Sequence, residues 1–457
     1  MKIQLNEKAA IYFNEKVKEF LYELKPDTTK NRDQAKVESS ASHVFVSDHF
    51  TDKNIINISS VGYVDNLSGK QVARYFLVDK TPIGLDQEFY ADFVKFAESL
   101  HRKKEINKLL SLEFIIDCTF EWFENRYKGL LHEDIDLVEF LLQKAEKAIK
   151  RTKISIPISF LSIEKPFEIG NITFEYFRTE FFDRYINYTK SKAQKSDSFN
   201  LDNFKIFERN FRKKYQGAVF SSISLEAEQR KCVETARSET EKALMVLRFF
   251  SPSTFLPQIP CYFGIMGQTD IPKNHVFIFE NEIPLIREEI EEMRMHIWSI
   301  SHREFEKLRK LGIEIPSDLI IKQNPSEFET LILNSMSLFG RSLTSDNYQD
   351  KIVYSLVSIE TLLLQNQSEP IQSNVGLRLS FLTESKSEKR KDVKDLINRA
   401  YKTRSSYIHH GKIGENWEIL EKLQHLIWTA IRNALISKDR FKTQNDFLDY
   451  IENLILT

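Results

Sequence analysis

From residue 326 to the end of the sequence, apolar residues recur every three or four positions, and this spacing constrains the fold more than any other feature. It is clear in "KIVYSLVSIETLLLQ" (351–365) and in "DVKDLINRAYKTRSSYIHH" (392–410). An α-helix places such positions on one face, which then packs against other helices. The sequence therefore predicts an all-α bundle over residues 326–457.

Residues 1–325 mix helical and strand-like segments, which predicts an α+β region with a further break near residue 150. Helical spacing covers residues 7–24, 86–152 and 225–250, and it resumes from residue 284, where "REEIEEMRMH" (287–296) is typical of a solvated acidic helix face. Runs rich in β-branched residues between turn formers predict strands over 42–50, 54–64, 154–177 and 254–283.

Composition limits the classes of partner and of cellular compartment. The formal net charge of −1 gives the whole chain no general attraction to nucleic acid or to an anionic membrane. The three cysteines form no CxxC pair, and no signal peptide or membrane-spanning run is present. We therefore expect a cytoplasmic protein in a reducing environment with no membrane partner. No metal-binding or cofactor-binding motif occurs, so neither a metal ion nor a cofactor is predicted.

Two charged residues interrupt the apolar stripes of the two C-terminal helices quoted above. Arg404 continues the stripe between Tyr401 and Tyr407, and Glu360 lies between Leu356 and Leu363. A buried charge is costly unless it is paired. The sequence therefore predicts that Glu360 and Arg404 meet. A purely structural ion pair inside a bundle is one interpretation of this contact.

The second of these helices is predicted to end with His409 and His410, because Gly411 suits the left-handed position that follows many helices. Histidine exchanges protons near neutral pH, and the arginine fork matches phosphate oxygens. Arginine and histidine at one helix end are thus suited to phosphodiester chemistry. The alternative is two exposed histidines that only cap the helix.

The region around this motif is basic, although the chain as a whole is almost neutral. Residues 371–412 contain ten lysines and arginines against four acidic residues, an excess of six. Such a patch can bind a polyphosphate backbone. It can also be a solvated helix face. The candidate RNA-binding residues are Arg378, Arg399, Tyr401, Lys402 and Lys412.

The run "VSIETLLL", "GLRLSFL" and "VKDLINRAYKTRSSYIHHGK" resembles the HEPN domains of ApeA-like bacterial antiphage proteins. The resemblance covers roughly residues 340–440. Tyr401, Arg404 and Ser405 stand in register with the family pattern of Tyr-x-x-Arg-Ser followed by His-Gly. The family usually has one histidine directly before the glycine, so the pair His409–His410 departs from the pattern. Alignment on Arg404 selects His409 and alignment on Gly411 selects His410.

The resemblance implies an all-α HEPN-type bundle that forms homodimers or higher homo-oligomers, and a metal-independent endoribonuclease with an Arg-x(4–6)-His motif. It implies RNA as the substrate, with tRNA favoured, in an abortive-infection response to a phage-encoded trigger. Residues 1–325 would then sense the trigger or restrain the nuclease. The implied catalytic residues are Arg404, His409, His410, Glu360 and Ser405. The alternative function is a non-catalytic HEPN module that binds RNA or a nucleotide, or that serves in assembly.

Overall fold

The computed structural model describes residues 3–26, 57–58, 63–65, 71–79, 81–132, 134–195, 199–268, 273–280, 283–290, 297–365, 368–411 and 414–457. The chain divides into two compact units, Met1–Lys153 with Ser224–Thr235, and Ile154–Ile223 with Ala236–Thr457. The predicted domain boundary at residue 325 falls within the second unit and stays a prediction.

The first unit combines a small sheet with helices. Its strands, in sheet order β1-β5-β4-β3-β2, are β1 (Lys25–Pro26), β2 (Asn57–Ile58), β3 (Tyr63–Asp65), β4 (Gln71–Val78) and β5 (Thr81–Leu85). Its helices are α1 (Glu7–Tyr22), α2 (Gln87–His101), α3 (Lys104–Asn107), α4 (Leu112–Tyr127) and α5 (Leu137–Ala148). Phenylalanines spaced at helical intervals build the core, where Phe93 meets Phe120 edge to face at 5.1 Å.

A second five-stranded sheet, in the order β11-β6-β10-β9-β8, follows in the chain. Its strands are β6 (Lys150–Ser159), β8 (Phe167–Ile169), β9 (Ile172–Tyr176), β10 (Val219–Ala227) and β11 (Gly264–Ile265). Gly170 makes the turn between β8 and β9 with a φ of 57°, a conformation that glycine adopts without strain. The strand structure predicted over residues 154–177 is confirmed, and it includes the antiparallel pair β8–β9.

Two further strand pairs and two helices complete the middle of the chain. Strand β7 (Leu161–Ile163) pairs in parallel with β14 (Trp298–Ile300), and β12 (Lys273–Glu280) pairs with β13 (Ile283–Ile290). Helices α6 (Thr179–Ala193) and α7 (Leu201–Tyr215) lie between β9 and β10 in sequence.

The remaining elements are helical. They are α8 (Gln229–Phe249), α9 (His302–Leu311), α10 (Glu314–Leu319), α11 (Glu327–Thr344), α12 (Tyr348–Leu363), α13 (Ile371–Thr383), α14 (Ser387–His410), α15 (Trp417–Ile436) and α16 (Gln444–Leu456). Capping boxes at Ser301, Ser326 and Thr443 set the starts of α9, α11 and α16. The coarse prediction is confirmed: the fold mixes α and β structure and has a helical C-terminal region.

Two sequence expectations differ from the structure, and a third falls on residues that the structure does not describe. The expectation of helices from residue 284 is wrong, because β13 and β14 precede the first helix of this region, α9. The expected acidic helix over 287–296 is likewise wrong for residues 287–290, which belong to β13, and residues 291–296 lie outside the described residues. The strand expected over 42–50 also lies outside the described residues.

All three cysteines of the chain are buried and unpaired. Burial raises the pKa of the Cys118 and Cys261 thiols to about 12, and it also raises the pKa of Cys232. Because the thiolate is the reactive form, none of these side chains is primed for nucleophilic chemistry.

Within the described part of the chain, no helix combines the length and the apolar character needed to cross a membrane. Among the same residues, no cluster of three or more histidine, cysteine or acidic side chains is arranged to hold a metal ion.

Candidate RNA-cleaving site

Helix α14 carries the motif, and its apolar stripe is buried as the sequence predicts up to Tyr401. Val393, Leu396, Ile397 and Ala400 are each less than 5% exposed. Past Arg404 the stripe predicted to reach Tyr407 is no longer buried, because Tyr407 is half-buried and the adjacent Ile408 is 54% exposed. The last turn of α14 therefore leaves the core and presents its side chains outwards.

The predicted contact between Glu360 and Arg404 is present. Arg404 Nη1 donates to Glu360 Oε1 at 2.6 Å, and the hydroxyl of Tyr401 donates to the same oxygen at 2.8 Å. The side chain of Arg404 is 27% exposed and that of Glu360 is 16% exposed. Both charges lie at the edge of the core, where an ion pair is less screened than on the surface and less costly than in the deep interior.

Tyr401 stabilises this pair through its hydrogen bond to Glu360. Burial, and then the charge and hydrogen bond of Glu360, raise the pKa of the Tyr401 hydroxyl above its ordinary value, so it stays a donor. Its ring is 9% exposed and its hydroxyl is occupied. Tyr401 thus orients Glu360, and its ring offers little surface on which an RNA base could stack.

The helix ends as predicted. Gly411 has a φ of 58°, and its N–H donates to the carbonyl of Tyr407 at 2.9 Å. His409 and His410 are exposed, and neither imidazole has a hydrogen bond to a described residue. Their ring centroids are 6.4 Å apart. Both imidazoles are thus accessible to solvent.

Within the chain, Arg404 does not share a helix face with either histidine. At 3.6 residues per turn, five and six residues correspond to rotations of about 140° and about 120° from Arg404, in opposite senses. The structure brings together Glu360, Tyr401 and Arg404, and it leaves His409 and His410 about one and a half turns further along the helix. The two halves of the motif therefore point in different directions.

The candidate RNA-binding residues fall into different settings. Arg399 and Lys402 are exposed on α14, and the catalytic candidate Ser405 is exposed there too. Arg378 is only 7% exposed, and Lys412 lies outside the described residues.

Arg378 corrects the sequence expectation of an RNA contact. Its Nη1 donates to Glu369 Oε2 and to the carbonyl oxygen of Leu363, both at 2.7 Å, and its Nη2 donates to Glu452 Oε1 at 3.3 Å. A guanidinium so occupied has little left for a phosphate. Arg378 therefore has a structural role, and the basic surface is smaller than the excess counted in the sequence.

Sequence reasoning missed a groove of about 460 Å³ between α13 and α14. Gln372 Nε2 donates to Asn398 Oδ1 at 2.7 Å there, across a gap of 26 residues that no local pattern encodes. The groove is lined by Pro370, Ile371, Gln372, Ser373, Gly376, Leu377, Lys394 and Asn398.

The groove also distinguishes the two histidines. Lys394, Asn398, Ser405 and His409 follow one another at intervals of four, seven and four residues, so they share one face of α14. His410 lies away from that face. Of the two histidines, His409 therefore lies on the side of α14 that lines the groove.

Comparison of the chain with protein-family models, with curated proteins and with solved structures gives no significant match.

Proposed function

We propose that this protein is a metal-independent endoribonuclease of the HEPN type. The observation that carries the proposal is the state of Arg404: one Nη1 bond to Glu360 holds it, and its other N–H groups have no acceptor among the described residues. An arginine that is held through one N–H group, with its other N–H groups unused, can donate those groups to the oxygens of a phosphate. The exposed histidines of the same helix supply the proton-transfer groups.

In the proposed reaction, the RNA supplies its own nucleophile. The 2′-oxygen attacks the adjacent phosphorus as its proton passes to one imidazole, and the bond from phosphorus to the 5′-oxygen breaks. The leaving 5′-oxygen takes a proton from a second imidazole, which leaves a 2′,3′-cyclic phosphate and a 5′-hydroxyl. General acid–base catalysis of this kind contributes about 10²–10⁴ in rate. Arg404 stabilises the charge that develops on the phosphoryl oxygens.

The directions of Arg404 and the histidines favour a site shared by two copies of the chain. Since one helix projects them about 120–140° apart, an arginine of one copy meets a histidine of the other more readily than its own. Ile408, which is 54% exposed on the same turn, would be covered in such a homodimer.

The resemblance extends the proposal to biology: a cytoplasmic antiphage factor that cuts tRNA or other structured RNA when a phage-encoded trigger releases it. Expression of the wild-type chain in bacteria should then be toxic, and His409→Ala/His410→Ala should relieve the toxicity. Equal toxicity of both forms would oppose this extension.

The direct test is cleavage of total tRNA and of matched DNA in EDTA. We expect wild-type protein to cut only RNA and to leave 2′,3′-cyclic ends, and the double variant to lose at least about 100-fold in rate. His425→Ala is the matched control, because His425 is also an exposed helical histidine but packs on Phe255 with ring centroids 5.7 Å apart. Undiminished cutting by the double variant at an unchanged melting temperature would exclude the mechanism.

A non-catalytic HEPN module is the second candidate, since Glu360 already neutralises the charge of Arg404. This alternative predicts that RNA binds and remains intact in the same assay. Binding without cyclic-phosphate ends would favour it over the nuclease.

A further inference from the structure

Helices α6 and α7 are an insertion within a β-hairpin. Strands β9 and β10 pair antiparallel, and Tyr176 lies directly opposite Val219. A tight turn would be enough to connect two such strands. The chain instead places residues 177–218 between them, so the sheet pairing itself does not require the two helices.

The α6–α7 hairpin has its own small core. Phe182, Ile186 and Phe204 are buried, and the rings of Tyr185 and Phe211 stack with centroids 4.8 Å apart. Arg212 ties the two helices together, since its Nη2 donates to Asp183 Oδ1 at 2.6 Å. These contacts hold the hairpin in one shape and leave the opposite face of α6 uncovered.

The uncovered face of α6 mixes aromatic and basic side chains. Phe181, Tyr185 and Tyr188 are 38%, 42% and 60% exposed, and one side of the Tyr185 ring is covered by Phe211. Arg184 and Lys192 are exposed and alternate with them at helical spacing. The ammonium group of Lys192 lies 5.5 Å from the centroid of the Tyr188 ring. Large aromatic rings are seldom left on a surface in this number unless they contact a partner.

The hairpin is also a basic region of an almost neutral chain. Residues 178–215 contain ten lysines and arginines against five acidic residues. On α7, the exposed basic side chains are Lys205, Arg209, Lys213 and Lys214. The surface therefore offers positive charge and aromatic rings together, which complements a chain that carries both phosphates and flat bases.

We infer that the α6–α7 hairpin binds single-stranded RNA, with a base stacked on Tyr188 and phosphates contacted by Arg184 and Lys192. Proteins that bind single strands combine a positive surface with aromatic stacking in this way. RNA, as opposed to DNA, rests on the proposed function; the binding itself does not depend on Arg404 or the histidines. In a structured RNA, the element bound would be a loop or an end.

The arrangement of the side chains favours nucleic acid over a lipid surface. A helix that lies in a membrane interface separates an apolar face from a charged face. On α6, Arg184 and Lys192 share a face with Phe181 and Tyr188, so burying the rings in acyl chains would carry the charges in with them. Bases and phosphates alternate along a nucleic acid in the same manner as these side chains.

The experiment is fluorescence anisotropy with a labelled single-stranded RNA that carries 2′-O-methyl groups, so that cleavage cannot interfere. We expect Tyr188→Ala to weaken binding by about 5- to 150-fold, the usual loss of one base stack. Lys192→Gln should lower the slope of log affinity against log salt by about 0.7. Tyr22→Ala is the matched control, because Tyr22 is 81% exposed at the end of α1 in the first unit.

The outcomes separate this inference from the proposed nuclease. Unchanged RNA affinity in Tyr188→Ala and Lys192→Gln would overturn the assignment of the hairpin as an RNA-binding site. Binding of the protein through Tyr188 and Lys192 to anionic phospholipid vesicles, but not to the RNA, would overturn it as well. If the RNA affinity is unchanged in the variants and the wild-type protein cuts RNA, the proposed nuclease stands without the hairpin. Conversely, hairpin-dependent RNA binding by a wild-type chain that never cuts would support the hairpin and refute the nuclease.

Discussion

The helical region contains two arginine–glutamate pairs that differ in what they leave available. Arg378 and Glu369 are 9% and 12% exposed in their side chains, and Arg378 reaches three acceptors. Arg404 and Glu360 are 27% and 16% exposed, and Arg404 reaches one. The first pair is saturated and closed to solvent, and the second is open on one side.

The environment of the acidic partner shows the same contrast. Burial by itself would raise the pKa of Glu369, but hydrogen bonds from Asn374 and from the N–H of Gln365, together with Arg378, outweigh it and hold that pKa below its usual value. Among the described residues, Glu360 receives two donors, Tyr401 and Arg404. An arginine within an apolar pattern is therefore a functional candidate only when part of its guanidinium group remains without an acceptor.

The largest expected effect is on stability, at Arg378. Arg378→Leu leaves the carboxylate of Glu369 buried without its cation, which should lower the free energy of unfolding by about 3–5 kcal/mol. Urea denaturation measures this, and Arg399→Leu, at an exposed position of α14, is the control with an expected change under about 0.5 kcal/mol. A loss of unfolding free energy in Arg378→Leu no greater than in the control would show that Arg378 does not stabilise the fold through this pair.

The next effect is on activity, at Arg404. Arg404→Lys keeps the charge and removes the planar fork, so we expect the cleavage rate to fall by about 10²–10³, equivalent to about 2.7–4 kcal/mol of transition-state stabilisation. The melting temperature should change by only a few degrees. Arg303→Lys, at an exposed position of α9, is the control. A wild-type rate in Arg404→Lys would assign Arg404 to structure, together with Arg378.

Lys351 differs from both arginines, because it is a buried cation with no carboxylate bonded to it among the described residues. It is 0% exposed, and its Nζ donates to the carbonyl of Ser342 at 3.3 Å. Burial lowers its pKa from 10.5 to about 8. The unfolded chain therefore binds more protons between pH 8 and 10.5, so the contribution of Lys351 to stability rises with pH across that window and is lost as pH falls through 8.

The size of this effect is at most about 3 kcal/mol. Comparison of the unfolding free energies of wild type and Lys351→Met between pH 7 and 10.5 measures it, since the variant lacks the titrating group. We expect the free energy of unfolding of wild type to rise relative to that of Lys351→Met as pH rises. A constant difference would show that Lys351 keeps its ordinary pKa in the folded state.

The fold was predictable where the apolar pattern is local. The stripes of α12 and α14 identify both helices, and Gly170 and Gly411 mark a turn and a helix end, because only backbone conformations suited to glycine occur there. Helices α6 and α7 escaped prediction because exposed aromatic residues such as Tyr185 and Tyr188 blur the contrast between an apolar and a polar face. Strand β13 escaped because its partner β12, and not its own sequence, makes it a strand.

The candidate site was predictable to a similar degree and for a related reason. Glu360 and Arg404 each interrupt an apolar stripe, so their pairing follows from the cost of burying a lone charge. The closed pair of Arg378 was not predictable as such, because its acceptor Glu452 lies 74 residues away. The directions of His409 and His410 relative to Arg404 follow from helix geometry, but their meaning depends on a second copy of the chain.

The buried thiols make the protein convenient for optical work. Since Cys118, Cys232 and Cys261 are shielded and resist deprotonation, a maleimide dye should ignore the unaltered chain under mild conditions. One cysteine engineered at an exposed surface position would then be the sole point of attachment, with no background to subtract. A fluorophore placed in this way would report, by energy transfer to a labelled RNA, whether the RNA binds, and the three native cysteines could remain in place.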